Sequence, residues 1–259
     1  MTYEKDMPIL VFDSGVGGIS VLKELVKVLP HENFIFFGDS KNSPYGTKSI
    51  KEIQKLTINN IKHFFNLGIK GLVIACNTAT SASIIEVRRQ FPSLAIVGIE
   101  PAIKPAVAAF PNGRILIMGT PITITGKNLK ELIDLYKGDS TLIPLACPGL
   151  MEYVEHNKTN TYEFKEFLTN LLKPYIENPV DAFVTGCTHY PFIRKEIQNT
   201  LKNNPGFFDG ANGTSRALKR LLSSRNLLRE NGKGHIEFLS SDTSKEKIAL
   251  CKNLFEKDI

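Results

Sequence analysis

The chain has 259 residues, enough for one large domain or two small ones with a sizeable core. Its 42% hydrophobic and 22% charged residues, with 19 Gly and 14 Pro, exclude collagen-like, low-complexity and disordered classes. The net charge of +6 suits an anionic small molecule without demanding nucleic acid, and four scattered cysteines with no Cys-x-x-Cys pair argue against a disulfide scaffold or redox dithiol.

The opening residues 1–7 are polar, and the apolar run 8–12 after them is far shorter than a signal-peptide core. No stretch approaches the roughly 20 apolar residues that cross a bilayer. A cytoplasmic location with reduced thiols and no membrane partner is expected. Short apolar runs predict strands at 9–12, 34–37, 71–75, 95–99, 114–118, 142–145, 182–185 and 236–239. Between them lie amphipathic runs at helical spacing, such as Leu22, Leu25, Val26 and Leu29, or Phe164, Phe167, Leu168, Leu171, Leu172 and Tyr175. This alternation predicts an α/β fold with mainly parallel sheets flanked by helices.

Pro-rich punctuation at 100–105 and 204–213 predicts crossings between two similar lobes, with the active site in the cleft between them. The first lobe is expected to hold 1–100 plus 210–259 and the second 101–209. A single continuous sheet is the alternative topology. A basic run containing Arg216, Lys219, Arg220, Arg225, Arg229 and Lys233 also carries Leu218, Leu221, Leu222 and Leu228. It reads as the solvated face of an amphipathic helix; a nucleic-acid partner is not expected, because no aromatic interleaving accompanies the charges.

One internal echo carries chemistry. Leu72-Val73-Ile74-Ala75-Cys76-Asn77-Thr78 and Ala182-Phe183-Val184-Thr185-Gly186-Cys187-Thr188-His189 each lead from an apolar strand, through a cysteine and polar residues, into a helical run. The matched contexts predict two thiols at equivalent positions, facing one another across the cleft. A helix N-terminus there is expected to lower a thiol pKa from about 8.5 toward neutrality. His189, two residues past Cys187, is placed to reach that thiol. Cys147 and Cys251 lack such a setting and are expected to be bystanders, Cys251 within the helical run Ile248, Leu250, Leu254 and Phe255.

Asp13-Ser14-Gly15-Val16-Gly17-Gly18 leaves the first strand for a helix. Its glycines are expected to let backbone N–H groups approach a carboxylate or phosphate, with Asp13 at the strand's end. The motif is neither a dinucleotide fingerprint nor a phosphate loop, since position 20 is Ser20 and no Gly-Lys-Ser/Thr ending follows. Gly38-Asp39, Pro44-Tyr45-Gly46 and Gly119-Thr120-Pro121-Ile122-Thr123 add polar rims at other strand ends.

Two facing thiols that share one proton can take a proton from one face of a carbon and return another to the opposite face, inverting a stereocentre. No cofactor and no metal site is implied by any motif. Donors such as Ser14, Asn77, Thr78 and Thr188 are expected to neutralise the substrate's carboxylates.

Val11-Phe12-Asp13-Ser14-Gly15-Val16-Gly17-Gly18, Gly38-Asp39 with Pro44-Tyr45-Gly46, Ala75-Cys76-Asn77-Thr78-Ala79 and Gly186-Cys187-Thr188-His189-Tyr190-Pro191 stand in one order between about Ile9 and Asp209. Together they resemble the cofactor-independent glutamate racemases of the aspartate/glutamate racemase superfamily. The resemblance implies an isomerase that interconverts L- and D-glutamate and supplies D-glutamate for peptidoglycan. It implies Cys76 as the acid/base thiol toward the D-enantiomer and Cys187 toward the L-enantiomer, with Asp13 assisting Cys76 and His189 assisting Cys187. Glu155, beyond Cys147-Pro148, matches the acid expected near the histidine better than Glu152 does. The implied substrate contacts are Asp13, Ser14, Tyr45, Gly46, Asn77, Thr78, Thr188 and His189, with Thr120 and Thr123 from the second lobe. The implied partners are glutamate as small-molecule substrate and a second copy of the chain in a homodimer.

The chain departs from the family pattern at two places. Ile124-Thr125-Gly126-Lys127 follows Thr123 where a Lys-Ser pair is common, and Asp209-Gly210 stands where Asp-Ser is common. The last fifty or so residues carry no motif that aligns. Aspartate racemase, or another racemase of the same superfamily, is the nearest rival, because one methylene in a pocket is worth only about 1–3 kcal/mol. A thiol hydrolase would use Cys187 and His189 and dispense with Cys76. A non-enzymatic binding module would need neither thiol for affinity.

Overall fold

In the computed structural model, which describes residues 3–259, the short apolar runs become parallel strands. Residues 1 and 2 of the first expected lobe lie outside the described residues. The strands are β1 (Ile9–Asp13), β2 (Phe34–Gly38), β3 (Gly71–Ile74), β4 (Ala95–Gly98), β5 (Arg114–Gly119), β6 (Thr141–Ala146), β7 (Ala182–Gly186), β8 (Gly206–Asp209) and β9 (Ile236–Ser240). They form two sheets, one of order β4-β3-β1-β2-β9 and one of order β6-β5-β7-β8. The single continuous sheet is therefore excluded, and the α/β class with two lobes stands.

Every strand pair is parallel, so each sheet needs helices on both faces and its strands read as nearly unbroken apolar runs. Side chains alternate across each sheet. Ile9 and Val11 of β1 join a core that continues through Leu116 and Met118 of β5, so one apolar body runs through both lobes. Leu10 and Phe12 point the other way, onto Ile53, Ile61 and Phe64. Ile115 and Ile117 do the same in the second sheet, against Ile103 and Leu129.

Helix ends follow local chemistry. Ser49 caps the helix Ile50–Leu67 by accepting from Glu52 N–H, and Gly68 ends it at φ +93, a left-handed conformation that costs glycine little. Thr161 and Ser244 cap the helices Tyr162–Glu177 and Lys245–Glu256 in the same way. Among the described residues no helix is long and apolar enough to cross a membrane.

Three expectations need correction. The 204–213 stretch is not simply a crossing: Gly206–Asp209 pairs with Ala182–Thr185 as an edge strand, which Pro205 and its neighbouring turn residues disguise. The basic run is not one helix, since the helix Ala211–Ser224 stops before Arg225, Arg229 and Lys233. Arg229 is held by His31 O, Asn33 Oδ1 and Asp6 rather than lying on a solvated face. Pro101–Pro105 overlaps the start of a short helix, Ile103–Ala109. Meanwhile the unaligned C-terminal residues supply β9, which pairs with β2, and the helix Lys245–Glu256, which packs on the helix Ile19–Val28.

Candidate active site

Because every strand is parallel, the C-terminal ends of each sheet gather on one edge, where α/β proteins place ligands. Here both edges line one cavity of about 60 Å³. Ser14, Tyr45, Gly46, Cys76, Asn77 and Thr78 line it from the first sheet's side, and Thr120, Cys147, Glu152, Cys187, Thr188 and His189 from the second's. Cys76 and Cys187 are 6% and 7% exposed, so the two sulfurs are buried but reach the same space.

Cys76 follows β3 and caps the helix Asn77–Gln90, with Ala79 N–H donating to its sulfur at 3.4 Å. Ser14 Oγ lies 3.3 Å from the same sulfur. The expected lowering of its pKa does not occur. Burial and the neighbouring Asp13 push the Cys76 thiol up to about 12, against weaker help from Ser14 and the Ala79 N–H. Removing a thiolate from water outweighs a helix end that contributes about 0.3–1 kcal/mol.

Cys187 follows β7 but opens no α-helix; a short 3₁₀ segment, Tyr190–Ile193, comes after His189. The helix argument fails there, and a side chain takes its place. His189 Nδ1 lies 3.6 Å from Cys187 Sγ, while Nε2 lies 2.9 Å from Glu155 Oε2. Burial would lower the His189 pKa, but hydrogen bonds and charge from Cys187 and Glu155 raise it well above the usual imidazole value. Burial would raise Glu155, yet His189, the Val16 N–H and Lys247 hold it at about 2. His189 thus bridges a carboxylate and a sulfur, an arrangement that can hold and move a proton at the thiol.

Asp13 and Thr123 stand behind the residues that line the cavity. Asp13 is fully buried behind it, with Oδ1 accepting from Gly15 N–H at 2.9 Å and Oδ2 from Thr188 Oγ1 at 3.0 Å across the lobes. Burial pushes its carboxyl up to about 6. Thr123 stands behind Thr120, which also meets Thr78 across the lobes at 2.8 Å. Tyr45 is oriented by its hydroxyl, which donates to Asp39 Oδ2 at 2.7 Å. Asn77 escapes this saturation: both polar atoms of its amide are buried without a protein partner. A ligand carboxylate is the kind of group that would satisfy them.

The glycines after β1 also make room between the lobes. A Cβ at Gly15 would fall 2.5 Å from Glu155 Oε2, and one at Gly17 would fall 2.4 Å from His189 Nδ1. The carboxylate that a loop N–H approaches is the chain's own, since Val16 N–H donates to Glu155 Oε2 at 3.0 Å. These glycines let the second lobe's histidine and acid sit against the first lobe.

Several residues were not singled out from the sequence. Cys147, expected to be a bystander, lines the cavity, and burial together with Cys187 pushes its thiol up to about 12. Glu152 also lines the cavity, with Oε2 buried and unpaired. Ser40 and Lys247 reach Glu155 Oε1 at 3.2 and 2.9 Å. Their only signal in the sequence is proximity to strand ends β2 and β9. Cys251 is buried in its helix. Among the described residues no three His, Cys, Asp or Glu side chains converge as a metal site.

The family model for Asp/Glu/hydantoin racemases matches residues 9–212. A glutamate racemase from Clostridium acetobutylicum is 48% identical over 238 residues, 92% of this chain and 93% of that one. A second, from Clostridium novyi, is 45% identical over 96% of both chains. Among solved structures, a glutamate racemase from Bacillus anthracis superposes with a TM-score of 0.87 at 28% identity, covering 99% of this chain and 96% of that one. The Escherichia coli glutamate racemase, solved with L-glutamate and the activator UDP-MurNAc-Ala, gives 0.84 at 26% identity, covering 96% and 95%. The chain belongs to the Asp/Glu/hydantoin racemase family and is an isomerase of that family.

Proposed function

We propose that the chain interconverts L- and D-glutamate without a cofactor, by two-base chemistry at Cys76 and Cys187, and so supplies D-glutamate for peptidoglycan. The observation that carries the reading is the pair of buried thiols that reach one small cavity from opposite lobes. The relatives named as glutamate racemases, and the one solved with L-glutamate, support the choice of substrate.

In the direction from L-glutamate, Cys187 acts as thiolate beside the His189 imidazolium and takes the Cα proton, so the Cα–H bond breaks and an S–H bond forms. Cys76, which rests as thiol because of its raised pKa, delivers its own proton to the opposite face. The thiol and thiolate exchange roles, and the reverse reaction runs the same steps backward. Glu155 orients His189, and Asp13, held in place by Thr188 and the Gly15 N–H, acts on Cys76 through its neighbouring charge. The Asn77 amide, Ser14, Thr78, Thr120, Thr188, Tyr45 and Gly46 bound the space where the carboxylates and ammonium would lie. Preorganised donors there offset the charge that builds on the Cα carboxylate in the transition state.

We assign 1–100 plus 210–259 to the lobe of Asp13 and Cys76, and 101–209 to the lobe of Thr120, Cys187 and His189. The strand orders support this division. A cytoplasmic homodimer completes the reading, supported by the family resemblance and tested by sedimentation and fractionation.

The decisive experiment is proton NMR of the full chain with L-glutamate in deuterated water, without added cofactor, alongside optical rotation. Loss of the Cα proton signal together with decay of rotation is the expected result. Cys76→Ala and Cys187→Ala should each abolish racemisation. No Cα exchange in the parent, with an acyl group from an amide or ester substrate trapped on Cys187 in both the parent and Cys76→Ala, would instead establish a thiol hydrolase.

A further inference from the structure

All the acceptor capacity of the Glu155 carboxylate is engaged. Oε2 takes His189 Nε2 and the Val16 N–H, and Oε1 takes Ser40 Oγ and Lys247 Nζ. Lys247 belongs to the C-terminal helix Lys245–Glu256, in the part of the sequence without an aligned motif. Its placement is fixed at several points. Ser240 Oγ and Ser241 N–H both donate to Gly38 O at the end of β2, Asp242 accepts from Ser244 N–H, and Ser244 Oγ accepts from the N–H of Lys247 itself. The ammonium also donates to the Glu155 backbone carbonyl at 3.4 Å. Side-chain exposure is 14% for Lys247 and 6% for Glu155, so solvent and salt screen this pair little. At the far end of the helix Lys257 Nζ donates to Phe192 O, three residues past His189.

We propose that Lys247 is a positioning residue for the Cys187 half of the reaction: it pins the Glu155 carboxylate in the orientation that holds His189 against the Cys187 sulfur. The first lobe's C-terminal helix thereby completes an acid/base unit that the second lobe carries. This rests on the assignment of Cys187 as an acid/base thiol. Lys247 itself is absent from the cavity wall. Without its ammonium, Oε1 keeps only the Ser40 hydroxyl, and a buried carboxylate with one side unpaired turns toward other donors and takes the imidazole with it.

The test compares Lys247→Met, Lys247→Arg and Cys187→Ser in the full chain. Lys247→Met is expected to lower kcat about 10- to 100-fold with KM little changed, and Lys247→Arg to restore most of it. Iodoacetamide labelling of the folded proteins, read by peptide mass spectrometry, gives the second readout. Cys187 should react more slowly in Lys247→Met while Cys76 keeps its rate. Faster labelling of both thiols, as a loosened helix would give, overturns the proposal, and so does a parental kcat in Lys247→Met. An active Cys187→Ser removes the thiol assignment and the proposal with it; an inactive Cys187→Ser beside a fully active Lys247→Met removes the proposal alone. If Lys247→Met does not fold, Lys247→Gln is judged by the same two criteria.

Discussion

Replacing Gly17 by alanine adds a methyl group where the second lobe leaves no room. Its Cβ would stand 2.4 Å from His189 Nδ1, 2.6 Å from His189 Cε1 and 2.6 Å from Thr188 Oγ1, whereas ordinary contact begins near 3.4 Å. The imidazole must retreat by about 1 Å, and Nδ1 is the atom that faces Cys187 Sγ at 3.6 Å. A misplacement of that size costs about 10²-fold in rate, equivalent to about 2.7 kcal/mol of barrier. Overpacking costs about 1–3 kcal/mol of stability, within what a folded domain can lose. The assay is initial-rate polarimetry from L- and from D-glutamate on protein whose melting is followed by circular dichroism. The enantiomers have equal free energy in water, so kcat/KM must fall by the same factor in both directions. A folded Gly17→Ala protein with parental kcat/KM would refute the argument that His189 must hold its place beside Cys187.

Asp13→Asn should stabilise the protein while reducing activity. The carboxyl is raised from 3.8 to about 6, so between these values the native state keeps a proton that the unfolded chain has released. Stability falls as pH rises through that window, by about 3 kcal/mol, and urea unfolding at pH 8 should show the variant gaining a similar amount; an unchanged or lower midpoint counts against the burial argument. Lys70→Met should destabilise by about 3–5 kcal/mol, because it strands Glu32 in a fully buried ion pair far from the cavity. The same urea titration checks it, and a loss below about 1 kcal/mol would show that Glu32 finds other partners.

Much of the site was legible because each of its central residues ends an apolar strand. Asp13, Cys76, Thr120 and Cys187 all lie at or just past a strand's C-terminal end, a position that hydrophobic patterning alone reveals. The strand Gly206–Asp209 was hidden for the converse reason: Pro205, Gly206 and Gly210 are turn residues, and pairing with β7 overrides their local preference. The raised Cys76 pKa is not legible in the sequence, where a helix end can be seen and burial cannot.

By itself the sequence determined the alternation of strand and helix, the parallel sheets and the place of each thiol just past a strand, since these follow from the period of apolar residues and from residues adjacent in the chain. The tertiary structure decided everything that depends on residues distant in the chain. Val16 meets Glu155 across 139 positions, Thr188 meets Asp13 across 175, and Lys247 meets Glu155 across 92. Such contacts leave no periodic signal, because their geometry is fixed by how two sheets pack and not by the spacing along either one.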